Sequence, residues 1–265
     1  GREGREEREG GGGREKKGRG GDSNDKSDAN ANGKAVHPPP SSPLSTSISC
    51  CVRVLKIANN RLSSFPLFAP FPLLQVLDLR DNTLSHLDEN IGVACPSLEE
   101  LLLQYNRLRA LPSTLEQLGM LRILDISYNL ISKCPRLTSA EQSLSALYLS
   151  YNKMRYIDET VYRARHLRFL RFSFNLVSSL SEDVVNWVEV EEIWMKGNVL
   201  HSLPTSLLYL RKLRVVELSK NPLSSLPAYI VALQWKDVRQ FMLDRVEAEE
   251  KMGGETEVGR RGKDE

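Results

Sequence analysis

Between residues 52 and 233 the apolar positions follow one recurring frame, LxxLxLxxNxL, in which aliphatic side chains and a single asparagine keep fixed places. Leu74, Leu77, Leu79, Asn82 and Leu84 fill it once, and Leu144, Leu147, Leu149, Asn152 and Met154 fill it again. The asparagines, Asn60, Asn82, Asn106, Asn129, Asn152, Asn175, Asn198 and Asn221, are separated by 22, 24, 23, 23, 23, 23 and 23 residues, so the chain holds eight copies of one unit. Two leucines two residues apart point to one side of a strand, and each copy is therefore predicted to contain a short strand with an inward and an outward face. After the asparagine the chain returns along the opposite flank and brings in one more apolar residue: Phe65, Leu87, Leu111, Cys134, Ile157, Leu180, Leu203 or Leu226. One copy alone cannot enclose these side chains. Stacked copies can, and at roughly 1.5–3 kcal/mol per buried leucine the stability belongs to the stack as a whole.

This frame resembles the leucine-rich repeat, over roughly residues 52–233. The resemblance implies an α/β solenoid: a right-handed horseshoe of about eight repeats with a parallel concave sheet, an irregular or short-helical convex side and a C-terminal helical cap. It also implies a role for the asparagines, whose amides would bond turn backbone groups of their own and neighbouring repeats as a ladder. A buried amide left without partners costs about 1–3 kcal/mol. The second halves Leu111-Pro112, Leu203-Pro204 and Leu226-Pro227, each followed by apolar residues three apart, resemble the intracellular Leu-Pro type of repeat found in Ras-pathway scaffolds and in plant intracellular Ras-group proteins. Proline would fix the turn that opens the convex flank, with a short helical turn after it. The fourth repeat departs from this pattern: Cys134-Pro135 is followed, from Thr138 to Ser143, by few apolar residues, and an irregular loop is expected there.

Residues 1–49 carry almost no large apolar side chains, only mixed charge, glycine and a Pro/Ser cluster, and read as a disordered tail ahead of a repeat domain at 50–233. Over 234–250, Val238, Phe241, Met242, Arg245 and Val246 fall at helical spacing with Asp237 as a candidate N-cap, which predicts a helix sealing the last repeat above Trp235. Residues 251–265 read as a second disordered tail. The chain begins at Gly1 rather than methionine, as a fragment or an incomplete gene model would.

A formal net charge of +2 gives no strong field for nucleic acid or membranes, and acids dilute the basic residues around Arg14 to Arg19. No run of 18 or more apolar residues suggests membrane insertion. Cys50, Cys51, Cys95 and Cys134 match neither a zinc site nor a disulfide framework, and no Asn-x-Ser/Thr sequon occurs. These features read as a reducing compartment, the cytoplasm with the nucleus as alternative. His37, His86, His166 and His201 share no repeat position, and no nucleophile elbow, P-loop or metal-protease motif is present, so no catalytic site, cofactor or metal is expected.

The outward strand positions offer binding chemistry instead. Leu102, Ile123, Tyr148, Phe169, Arg171 and Trp194 fall there among Glu100, Asp125, Ala146 and Glu192, a set too apolar for an ordinary solvated face. The position before the asparagine adds Tyr105, Tyr128, Tyr151 and Phe174, predicted to stand in a row about 4.8 Å apart. Part of that row is explained by aromatic stacking alone. Aromatic residues and arginine dominate the energetic centres of protein interfaces, and Tyr148, Phe169, Arg171 and Trp194 form the predicted centre. Lys56, Asp78 and Arg80 at one end, and Lys196, Glu217 and Lys220 at the other, form a polar rim. The expected function is a non-catalytic scaffold or adaptor, monomeric alone, that binds a protein partner on the concave face. The resemblance implies signalling partners such as a small GTPase or a phosphatase subunit. RNA binding through this face with the basic tail, and service as the targeting portion of a longer enzyme, are the alternatives.

Overall fold

The computed structural model describes residues 51–261, with side chains through residue 248; the expected tail at 1–49 lies outside the described residues apart from its boundary. Eight three-residue strands make one parallel sheet in chain order: β1 (Val54–Lys56), β2 (Val76–Asp78), β3 (Glu100–Leu102), β4 (Ile123–Asp125), β5 (Ala146–Tyr148), β6 (Phe169–Arg171), β7 (Glu192–Trp194) and β8 (Val215–Glu217). The repeat spacing sets the register, which places Leu77, Leu101, Leu124, Leu147, Leu170 and Ile193 in one line, all fully buried. The side chains one residue beyond each strand, from Leu79 to Met195, are buried with them. Leu55 and Val216, on the two end strands, are only partly covered, because each has a neighbouring repeat on one side alone.

The asparagines close the turns after the strands. Asn152 Nδ2 donates to the carbonyls of Ile126 at 2.8 Å and Leu149 at 3.0 Å, while its Oδ1 accepts from the Ile131 backbone N–H at 2.9 Å. The same three bonds recur, one repeat further on, at Asn175. Each intervening carbonyl serves two amides: Leu149 O accepts from Asn152 and from Asn175. Asn60, at the open end, donates to Ile57 and Ala58 carbonyls and is exposed.

The convex flanks are short helical turns in all but the first repeat: Ile91–Ala94, Ser113–Gln117, Thr138–Ala140, Glu159–Tyr162, Glu182–Asn186, Thr205–Tyr209 and Ala228–Val231. Pro112, Pro204 and Pro227 each stand immediately before such a turn with φ of −64°, −66° and −58°, the value the pyrrolidine ring imposes. Where proline is missing, Asp158 and Ser181 cap their turns by accepting from the Thr160 and Asp183 backbone N–H groups. The fourth repeat corrects the expected irregular loop: Thr138–Ala140 forms a 3₁₀ turn, because Leu137 and Ala140, both 1% exposed, are enough to anchor it against the core. Trp187 is fully buried on this side, stacked on Tyr162 at 5.2 Å, with its indole N–H donated to the Val161 carbonyl at 2.9 Å.

The C-terminal helix spans Trp235–Arg261 and corrects the sequence expectation in two respects. It begins two residues before Asp237, which lies in the first turn and donates its N–H to Gln234 O, because the Trp235 ring is drawn into the core at 4% exposure. It also continues past 250 into the stretch expected to be a disordered tail. Glu247, Ala248, Glu249, Glu250, Lys251 and Met252 are strong helix formers. Val238 and Met242 are buried on the last repeat, Arg239 donates twice to the Leu208 carbonyl, and Arg245 donates to that of Ser225.

Candidate functional site

Parallel pairing carries the outward positions into two rows. One runs Asp78, Leu102, Asp125, Tyr148, Arg171, Trp194 and Glu217; the other runs Val76, Glu100, Ile123, Ala146, Phe169, Glu192 and Val215. Arg171 is the hub of the first. Its guanidinium carbon lies 5.3 Å from the centroids of both Tyr148 and Trp194, and Nη2 meets Glu192 Oε2 at 3.1 Å. The Trp194 indole N–H donates to the same carboxylate oxygen at 3.0 Å. One cation is thus held between two aromatic faces and neutralised by an acid from the second row, which fixes four side chains relative to one another.

Beyond the strand ends the aromatic row stands as a wall. Ring centroids are 4.3 Å apart for Tyr105 and Tyr128, 4.2 Å for Tyr128 and Tyr151, and 4.5 Å for Tyr151 and Phe174, with interplanar angles of 17°, 13° and 21°. All four residues adopt left-handed backbone, φ between 54° and 59°, a region that other repeats fill with Asn59, Asp81, Gly197 or Lys220. For a side chain with a full Cβ this conformation costs roughly 1–2 kcal/mol, and each stacked pair returns about 0.5–1.5 kcal/mol. Four such residues and only three such pairs leave the stacking short of the strain or barely level with it, so the fold alone gives the row no net stabilisation. The row ends at Gly197, where a Cβ would come within 2.7 Å of the Phe174 ring; Lys220 Nζ lies 5.9 Å from that ring's centroid.

Wall and floor enclose a groove of about 600 Å³. Tyr105, Tyr128, Tyr148, Tyr151, Arg171, Phe174 and Trp194 line it, whereas Leu102, Ile123 and Phe169 lie outside it. Gln104, Asp125, Ser127, Ser150, Ser173 and Lys196 complete its bed, and sequence reading did not single out Gln104 or the three serines. The signal was present: strand alternation continues past the strand, so the residue two before each asparagine also faces outward. Burial pushes the Asp125 carboxyl above its usual range, against the N–H of Ser127 and the charges of Arg171 and Arg80. Burial likewise raises the Tyr148 phenol, and desolvation followed by bonding to the Tyr151 and Tyr105 hydroxyls pushes Tyr128 up to about 12.

Among the described residues no three His, Cys, Asp or Glu side chains come together as metal ligands, and His86, His166 and His201 are scattered over the exposed surface. Burial raises the Cys95 and Cys134 thiols to about 11 and about 12, which leaves them poor nucleophiles at neutral pH. No helix among the described residues is long and apolar enough to cross a membrane.

The fold and its asparagine ladder define a leucine-rich repeat solenoid. The family described as leucine rich repeat matches residues 52–108 and 96–154. A leucine-rich repeat protein of Leptospira interrogans shares 27% identity and superposes with a TM-score of 0.64 over 68% of this chain and 46% of its own. The plant peptide hormone receptor RGFR1, solved in complex with RGF2, shares 27% identity with a TM-score of 0.54 over 62% of this chain and 27% of its own. This chain therefore spans less than half the length of either. Internalin C2 of Listeria monocytogenes, at 21% identity and TM-score 0.59, shares the fold over 68% of this chain and 77% of its own. No curated protein matches the sequence. Leucine-rich repeats generally serve as protein-interaction scaffolds.

Proposed function

We propose that this chain is a non-catalytic interaction module whose concave face binds a protein partner. The supporting observation is the groove itself: an exposed aromatic wall whose strain is not repaid by folding, facing a rigid Tyr148–Arg171–Trp194 floor. Aromatic side chains and arginine are the residue types that carry interface energy. The solved complex of RGFR1 with RGF2 supports a ligand-binding use of the fold. The Leu-Pro resemblance extends the proposal to a signalling partner, a small GTPase or a phosphatase subunit, in the cytoplasm or nucleus. The unpaired thiols of Cys51, Cys95 and Cys134 suit a reducing compartment.

The test is affinity capture from lysate, read by mass spectrometry, with wild type against a Tyr148→Ala, Phe169→Ala, Trp194→Ala triple variant shown by circular dichroism to be folded. The proposal expects a defined set of proteins to be lost with the triple variant. Equal capture by both would contradict it.

A further inference from the structure

The two lateral edges of the stack, between the sheet and the convex turns, carry charge in opposite ways, and from this we infer that one of them docks flat on an anionic phospholipid bilayer. The surface is a different one from the concave groove, and the inference stands or falls apart from it.

After each asparagine the chain runs along one edge with exposed and buried positions alternating. Arg107, Leu108 and Arg109 in the third repeat, and Lys153, Met154 and Arg155 in the fifth, are exposed, buried and exposed in turn. The four residues that follow each asparagine include no acid in any of the eight repeats. They include Arg61, Arg107, Arg109, Lys133, Lys153 and Arg155, all exposed, and none of these forms an ion pair among the described residues. The opposite edge, made by the residues that lead into the strands, mixes its signs and pairs them: Arg122 with Glu99 at 3.6 Å, Arg168 with Glu191 at 2.6 Å, and Lys212 with Glu189. A formal net charge of +2 hides this segregation, because the acids that balance the sum lie elsewhere. At a strand spacing of about 4.8 Å, the third and fifth repeats are about 10 Å apart, close to the screening length of physiological salt, so their cations act on a partner as one field.

Three features choose a bilayer among anionic partners. The edge's N–H groups are already bonded: those of Arg107, Leu130, Lys153, Leu176 and Val199 each donate to a carbonyl of the preceding repeat at 2.8–3.0 Å, so an acidic peptide finds no free N–H row to join. The ring faces on which a single-stranded nucleic acid would stack are occupied too, since the neighbouring Tyr105, Tyr128, Tyr151 and Phe174 are stacked on one another. Finally, in the row that holds Arg107 and Lys153, the other repeats present Leu130, Leu176 and Val199, exposed by 38%, 45% and 38%, and Tyr156, 51% exposed, adjoins Arg155. Aliphatic side chains gain nothing against a phosphodiester backbone. Against a membrane they bury in the boundary between headgroups and acyl chains, while the guanidinium and ammonium groups meet lipid phosphates and carboxylates. The shape agrees. A stack that bends toward its sheet bends about an axis normal to its lateral edges, so each edge stays close to one plane and its cations reach a flat surface together.

Flotation of the full chain with large unilamellar vesicles is the test, with phosphatidylcholine alone set against phosphatidylcholine containing about 30% phosphatidylserine. The chain should float with the mixed vesicles, weakly or not at all with the neutral ones, and less as salt is raised. Each cation near such a surface contributes about fivefold in affinity, so an Arg107→Gln, Lys153→Gln, Arg155→Gln variant should bind about a hundredfold more weakly. Its thermal midpoint should match wild type, because these side chains have no ion-pair partner to lose. An Arg122→Gln, Arg168→Gln, Lys212→Gln variant removes the same formal charge from the paired edge, which faces away, and should keep its affinity within about threefold. Equal binding to both kinds of vesicle, or equal losses in the two variants, overturns the inference. So does binding of a single-stranded oligonucleotide or of polyglutamate by a chain that ignores the mixed vesicles. The Tyr148→Ala, Phe169→Ala, Trp194→Ala variant should still float, whatever becomes of its lysate partners; loss of flotation there would move lipid binding to the groove and overturn the inference as well.

Discussion

Replacing Asn152 by alanine removes three well-formed hydrogen bonds from the middle of the ladder, and the structure apportions the loss. The carbonyls of Ile126 and Leu149 each keep a second amide donor, from Asn129 and Asn175, so each forfeits one bond worth about 0.5–1.5 kcal/mol and is not left bare. The Ile131 N–H has no other acceptor and becomes a buried orphan at a cost of about 1–3 kcal/mol. The total comes to about 2–6 kcal/mol. Asn60→Ala is the internal control. Asn60 is exposed and its side chain makes only two local bonds, one of them to the Ile57 carbonyl that keeps the Asn82 amide as a donor, so its loss should cost less than about 1 kcal/mol. Urea denaturation followed by far-ultraviolet circular dichroism compares the two, with the m-value watched for any loss of cooperativity in the stack. Equal midpoints for Asn152→Ala and Asn60→Ala would refute the reasoning, because both substitutions delete the same side chain from the same sequence frame.

Further perturbations separate packing, strain and charge. Gly92→Ala should lower stability by about 1–3 kcal/mol, since a Cβ there would overlap the Thr114 carbonyl in the next convex turn; an unchanged melting temperature would contradict that close approach. Tyr128→Asn gives up two stacked faces but suits the left-handed backbone, so the midpoint should move by less than about 1 kcal/mol while groove binding falls. A loss above about 2 kcal/mol would make the aromatic row a structural spine. Because burial raises the Asp125 carboxyl, the folded state holds that proton more tightly than the unfolded chain; the resulting cost is absent below about pH 3.9 and present once pH passes the folded value. Asp125→Asn should therefore be more stable than wild type at pH 7 and equal to it near pH 3, as urea midpoints at the two pH values would show.

Regularity decided what the sequence revealed. The 23-residue spacing gave the strands, their register and the inward leucines, because a period repeated eight times leaves one way to stack. The aromatic row was legible for the same reason. Individual positions were harder. Thr138–Ala140 folds as a turn on two small buried anchors, Leu137 and Ala140, that no apolar pattern announces. The Tyr162–Trp187 stack joins different positions of adjacent repeats, and so has no period to betray it. On the concave face, attention to the strand itself missed Ser127, Ser150 and Ser173 and included Leu102, Ile123 and Phe169, which the wall and floor leave outside the groove. The charges of Lys196 and Arg171 look alike in sequence; only the Glu192 contact separates the neutralised one from the free one.

The concave-face proposal is tested most directly by hydroxyl-radical footprinting of the protein with and without a captured partner, because its tyrosines report on both faces at once. Tyr105, Tyr128 and Tyr151 on the groove wall are 52%, 39% and 41% exposed, and Tyr209 and Tyr229 on the convex turns are 70% and 68% exposed. The account predicts that the partner lowers oxidation of the first three and leaves the last two unchanged. Protection of Tyr209 and Tyr229, with the wall tyrosines oxidised as before, would contradict it and move the binding surface to the convex side.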